Sequence, residues 1–236
     1  MKQAQDLSYK SEARRGLLFV FMAGVLWSTV GLGIRMIDEA TVWQILLYRS
    51  ISLSLFLAIV IYLRSSENLF TVVRAAGLPA CIAGLALVGA YAGGIYGIQS
   101  TSVANAMLLF ASAPFMAAIL GWIFLREKVR KATWVSILFA MLGIGIMVQD
   151  KSTGSALLGN LAALGSAFGF AVFTVALRWG RSGEMLPAVF LSGIFAIFIT
   201  SSICLLSGLS FQISVNDTSI SMGMGIFQVG AGLVLY

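Results

Sequence analysis

Residues 75–125 read AAGLPACIAGLALVGAYAGGIYGIQSTSVANAMLLFASAPFMAAILGWIFL, 51 residues without one charged side chain. As a single helix this stretch would run about 77 Å at ~1.5 Å per residue, more than twice the ~30 Å of a bilayer's hydrocarbon. It must fold back on itself. Gln99-Ser100-Thr101-Ser102 is its one clustered polar break, so the turn of a transmembrane helical hairpin belongs there.

Working outward, the rest of the chain has the same character. Of 236 residues, 59% are hydrophobic and 10% charged, with no histidine and a mean hydropathy of +0.97. A soluble domain carries ~25% charged residues, so the composition excludes a soluble globular enzyme, a disordered chain and a nucleic-acid binder. Eight segments have spanning length or nearly so: 16–37, 42–63, 75–98, 102–125, 132–149, 156–177, 185–208 and 219–236. Alternating-strand patterning is absent, which removes a transmembrane barrel. The first segment is too long for a signal-peptide core and ends in Arg35 and Asp38-Glu39, not at a cleavage site, so it reads as an uncleaved span. Cys81 and Cys204 lie inside apolar runs and read as small hydrophobes. The expected fold is all-α, a polytopic transmembrane helix bundle.

The basic residues orient it. With the amino terminus in the cytoplasm, cytoplasmic segments hold Lys2, Lys10, Arg14, Arg15, Arg64, Arg74, Arg126, Lys128, Arg130, Lys131, Arg178 and Arg181. The opposite loops hold only Lys151, and Arg35 and Arg49 lie within spans. This positive-inside bias places a multi-pass protein in the cytoplasmic (inner) membrane with residues 1–15 as a cytoplasmic segment. It accounts for the net charge of +6 without a nucleic-acid partner.

Chemistry within the spans is sparse. All nine acids lie in loops or at span ends, so no general base or metal cluster sits at membrane depth; no catalytic residue, metal or cofactor is expected. Arg49 is the one ionisable residue well inside a span. Such a charge marks a functional site by default and would attract an anionic or carboxylate-bearing solute; the alternative is that it snorkels to the interface. Trp27, Ser28, Tyr91, Tyr96, Asn105 and Gln228 are polar or amphipathic groups within spans. Singly each suits an interhelical bond; together they suit a cavity for small organic solutes. Pro114 frees a backbone carbonyl and reads as a kink or as a hinge. Gly89, Gly93 and Gly97 stand four apart on the third span, and Gly165 and Gly169 on the sixth. This spacing lets helix backbones approach, either as fixed packing or as a sliding surface. Gly143 and Gly145 offer further smooth surface. Offsetting the chain by 143 aligns Gly16 with Gly159, Leu18 with Leu161 and Arg35 with Arg178, and a five-helix repeat would be inverted because five is odd.

The run from Tyr96 through Asn105 and Ala106 to Pro114, then Leu125-Arg126-Glu127-Lys128, then Gly143 to Val148, resembles the EamA domain of the drug/metabolite transporter superfamily. Trp27 and Arg49 sit where that family often carries Trp and Arg, and Gly159-Asn160, Arg178 and Gly230 to Tyr236 resemble the start of a second EamA unit. The resemblance implies two inverted five-helix repeats, ten helices in all, with both termini cytoplasmic. Residues 16–149 would form the first repeat and 156–236 three helices of the second, so about eight spans are visible and the chain is expected to be a fragment. The family motif residue Glu127 closes a helix in a basic loop. The implied function is a secondary transporter exporting small metabolites by alternating access, with a small-molecule solute and the lipid bilayer as partners and a homodimer as a possible assembly. A non-transporting truncated membrane protein and a membrane-integral enzyme are the competing classes.

Overall fold

The computed structural model describes residues 16–64, 69–149, 155–180 and 185–235; the 1–15 segment and Lys151 lie outside the described residues. Every regular element among them is helical, as expected of backbone that must satisfy its own N–H and C=O groups in lipid. We number them α1 (Gly16–Arg35), α2 (Val42–Arg64), α3 (Leu69–Ser100), α4 (Val103–Leu125), α5 (Lys131–Gln149), α6 (Ser155–Trp179) and α7 (Leu186–Leu206). The last helix, α8, starts as Val215–Gly223, widens to a π-helix over Met224–Ala231 and closes as Gly232–Leu235.

Six of the eight are long and apolar enough to cross a membrane, namely α1, α2, α3, α4, α6 and α7. The apolar part of α5, Lys131–Ile146, is shorter, and α8 is divided by its π stretch. Two boundaries differ from those expected. Helix α3 starts at Leu69, before the expected 75, and bends at Gly77, whose φ of 65° and ψ of −162° only glycine adopts readily. Helix α4 is interrupted at Ala111 and Ser112, and Pro114 occupies the first turn of its second half, Ala113–Leu125, where a missing N–H costs nothing. The expected break at Pro114 is therefore present, placed just before the proline.

The helices run up and down. Arg35 donates to the Thr101 carbonyl at 2.6 Å, Gln99 to the Ala40 carbonyl at 3.2 Å and Gln44 to the Ser210 carbonyl at 2.6 Å. These bonds gather the α1–α2, α3–α4 and α7–α8 connections at one end. Arg126, Glu127 and Arg178 lie at the other. Helix α2 is central, with 12 of its 23 residues buried. Gly193 of α7 abuts Ser54, and Gly225 of α8 abuts the Arg49 carbonyl and Ser52. Helices α3 and α6 form the most extensive pair, while α5 meets the bundle more sparingly, through buried Ile137 and through Ile144 on the core.

The glycines sort by what they face. A Cβ on Gly93 would lie 2.6 Å from the Ala162 carbonyl oxygen, and one on Gly97 3.1 Å from the Ala163 Cβ, so both are contact positions between α3 and α6. Gly169 meets the Ala86 carbonyl at 2.8 Å in the same interface. Gly89, Gly165, Gly143 and Gly145 have nothing within 4 Å. The expected stripe is thus corrected: Gly89 is rotated out of it, and Gly84, which meets the Ala188 carbonyl at 3.1 Å, joins α3 to α7 instead.

Candidate functional site

Arg49 lies about 10 Å along α2 from Val42, at ~1.5 Å per residue. It is 6% exposed, and its guanidinium carbon sits 4.6 Å from the centroid of the Tyr91 ring on α3. A snorkelling arginine would carry its head to the surface; this one points into the bundle, with Tyr91 over it. A cation–π contact supplies roughly 0.5–2 kcal/mol and does not replace a counter-ion. The Nε finds no hydrogen-bond partner, and among the described residues no carboxylate pairs with Arg49.

The surroundings are polar but uncharged. Ser52 donates to the carbonyls of Arg49, at 3.0 Å, and of Met222, at 2.9 Å, tying α2 to α8. One turn on, in the π-helix, Gln228 donates to Thr29 Oγ1 of α1 at 3.2 Å, while its own oxygen is buried without a partner. Ser54 Oγ and Ser221 Oγ are likewise buried and unbonded. Trp27 packs its indole edge on Gly232. Of the six expected lining residues, Arg49 and Tyr91 are in contact. Gln228 and Trp27 lie along the α1–α8 contact, Gln228 on Thr29 and Trp27, 37% exposed, beside Gly232. Tyr96 is 37% exposed, and Asn105 sits in the first turn of α4, where its N–H caps onto Ser102 Oγ at 3.1 Å. Among the described residues, Tyr91 is the one of these five whose side chain meets that of Arg49.

Each end of the bundle is fastened by one carboxylate. Glu127, which follows the end of α4, pairs with Arg178 at the end of α6 at 2.6 Å, and Arg178 also donates to the Ala117 carbonyl at 3.2 Å. Gly121 makes room: a Cβ there would lie 2.8 Å from Glu127 Oε2 and 2.9 Å from the Arg178 guanidinium. Arg126, at φ 55° and ψ 31°, turns the chain out of the helix so that Glu127 can point back.

The opposite fastening is Asp217, which sequence reasoning treated as one more end-of-span acid. Its carboxylate is fully buried and accepts from the backbone N–H groups of Asp38, Glu39 and Ala40 at 3.1–3.2 Å. The visible signal was Ser214-Val215-Asn216-Asp217, a helix-start box in which Ser214 Oγ accepts from the Asp217 N–H at 3.0 Å. Here the acid reaches across to another loop rather than back to its own cap. Burial pushes the Asp217 carboxyl up, but the three N–H groups and Ser214 together outweigh it and hold it below its ordinary value.

The model of the EamA-like transporter family matches residues 14–149. "Uncharacterized transporter YetK" of Bacillus subtilis (strain 168) is 34% identical over 34% of the chain and 26% of its own length. Protein RarD of Salmonella typhi is 27% identical over 80% of the chain and 65% of its length, and Protein RarD of Escherichia coli (strain K12) is 24% identical over 94% and 74%. The chain thus spans about a quarter to three quarters of these relatives. A crystal structure at 18% identity superposes with a TM-score of 0.67, covering 93% of this chain and 77% of that one, which shows a shared fold. With more than half of its residues matched, the chain is a multi-pass membrane protein that belongs to the EamA-like transporter family.

Proposed function

We propose that the chain belongs to a secondary transporter of the cytoplasmic membrane that exports small organic solutes by alternating access. In this reading residues 16–149 and 156–236 belong to two inverted repeats, and the amino terminus is cytoplasmic. The observation that carries the substrate class is Arg49: a buried guanidinium with an unbonded Nε and no carboxylate pairing with it among the described residues. Burying a charge without a partner is expensive, so a site that keeps one is built for a ligand that supplies the partner. The solute class is therefore one bearing a carboxylate or comparable anion. Tyr91 covers the guanidinium, and in this reading Gln228, Ser52 and Trp27 supply the polar and aromatic wall.

The test is counterflow in vesicles carrying the full-length protein, with a panel of amino acids and monocarboxylates. Arg49→Ala should lower transport of the accepted solute at least ten-fold, since a hydrogen bond to a charged group contributes ~1.5–3 kcal/mol. Undiminished transport by Arg49→Ala would remove Arg49 from the site and the anionic class with it.

A further inference from the structure

A second concave site lies at the Glu127 end of the bundle, with none of its lining residues among those around Arg49. It is an open cavity of about 710 Å³ lined by Trp122, Ile123, Arg126, Glu127, Lys128, Val129 and Trp134. Trp122 of α4 and Trp134 of α5 form its brace, with ring centroids 5.3 Å apart at 88°. Both indoles stay accessible, at 51% and 38% exposure. The lone carboxylate in the lining, Glu127, is already engaged by Arg178. Arg126 and Lys128 thus leave the cavity with a positive surplus.

Depth sets the environment. Helix α4 runs Val103–Leu125, 23 residues or about 34 Å, so its end reaches the headgroup layer of whichever leaflet it meets. Tryptophan and basic residues favour that layer. Below it, α5 has no extensive partner helix, and Leu138 and Met141, four and seven residues beyond Trp134 and so on its face, are 60% and 62% exposed. A ligand suited to both halves carries an anionic head for Arg126 and Lys128 and an acyl chain for the apolar flank of α5.

We propose that this cavity binds the headgroup of an anionic phospholipid, with an acyl chain lying along α5. A scattered belt of Trp, Arg and Lys would anchor any helix end. What sets this one apart is a concave space, two cations outside the local ion pair and an apolar face of α5, at Leu138 and Met141, left exposed beneath them. The site stands independently of the solute at Arg49.

Native mass spectrometry of the purified, delipidated full chain, titrated with phosphatidylglycerol or with phosphatidylcholine of identical chains, tests it. Phosphatidylglycerol should be retained preferentially, and Arg126→Gln/Lys128→Gln should erase the preference, each cation accounting for about five-fold in affinity. Arg64→Gln, a basic helix end that does not line the cavity, should leave the preference intact. If the double variant does not fold, Lys128→Gln alone, in the loop between α4 and α5, should give the single-cation loss. Equal retention of the two lipids, or a preference unmoved by the cavity variants, overturns the proposal. So does stabilisation by inorganic phosphate equal to that by phosphatidylglycerol, which would make the site one for free phosphate. A dimer whose interface covers Trp122 and Trp134 with no bound lipid overturns it as well.

Discussion

Arg49 shows how a single residue separates function from stability. A buried guanidinium resting on an aromatic ring, with its Nε unbonded, weighs against the ligand-free fold. Replacing it by an apolar side chain of similar length should therefore not destabilise the protein. We expect Arg49→Met to keep or raise the thermal midpoint of the detergent-solubilised protein while abolishing transport. A midpoint lowered by several degrees would mean that Arg49 is a structural residue. Asp217 behaves in the opposite way, because its charge is what the fold uses. Each bond to a charged acceptor contributes roughly 1.5–3 kcal/mol, so Asp217→Asn should cost about 2–3 kcal/mol. Its folded carboxyl is held below the ordinary value, so its contribution is fully present above the unfolded range near ~3.9 and is lost as pH falls towards the folded value. An acid-unfolding profile should show that limb in the native chain and lose it in Asp217→Asn. Arg49 stood out in the sequence because it is a charge within an apolar run. Asp217 did not, because its partners lie 177–179 residues away and nothing local marks them.

Among the elements, the helices were legible from hydropathy because lipid leaves the backbone few alternatives. Their rotation about their own axes was not. Gly89, Gly93 and Gly97 share a spacing, yet Gly93 and Gly97 press on α6 while Gly89 faces open space. The seam against α6 runs through Ala86, Ala90, Gly93 and Gly97, alternating steps of four and three as a 3.6-residue period requires, so a strict four-residue stripe drifts off it by Gly89. The bend at Gly77 and the close approach of Gly84 to α7 show α3 serving two partners in succession. Opposite outcomes follow for one substitution at two sites. Gly93→Ala puts a methyl group 2.6 Å from a backbone oxygen and should cost about 1–3 kcal/mol. Gly89→Ala meets nothing and should be neutral or stabilising by up to ~1 kcal/mol, the helix propensity difference. Denaturation in mild detergent compares the two directly, and equal effects would contradict the α3–α6 seam drawn here. The π-helix in α8 escaped the sequence for a related reason: Met224–Ala231 carries no marker of register, and within it Gly225 lodges against the Arg49 carbonyl.

At the scale of the whole molecule, the proposed solute site stands between two fastenings of different strength. The Glu127–Arg178 pair is about 40% exposed on each side, and exposed ion pairs contribute only ~0–1 kcal/mol. The Asp217 clasp is fully buried and joins α8 to the α1–α2 loop by three bonds, reinforced by Gln99 on Ala40 and Gln44 on Ser210. In the alternating-access cycle proposed above each end opens in turn, so both fastenings would have to break during a cycle. The described geometry makes the Glu127 end the easier to part. Helix α8, which abuts the Arg49 carbonyl, and α3, which carries Tyr91, are both tied to the clasp at the Asp217 end, which would couple opening there to the solute: movement of α8 carries Gly225 off the Arg49 carbonyl and Gln228 off Thr29. Cross-linking tests this with Cys81 and Cys204 first replaced by serine and alanine. In that background Ala40→Cys/Gln99→Cys, or Glu127→Cys/Arg178→Cys, is bridged by a short reducible thiol cross-linker. Bridging either end should stop net transport, and reduction should restore it. Glu127→Gln should speed labelling of a cysteine placed near Gly121, with a stability loss of no more than ~1 kcal/mol. If a bridge across either end leaves transport unchanged, that end is not a gate, and the path to Arg49 runs between helices rather than through the bundle's two mouths.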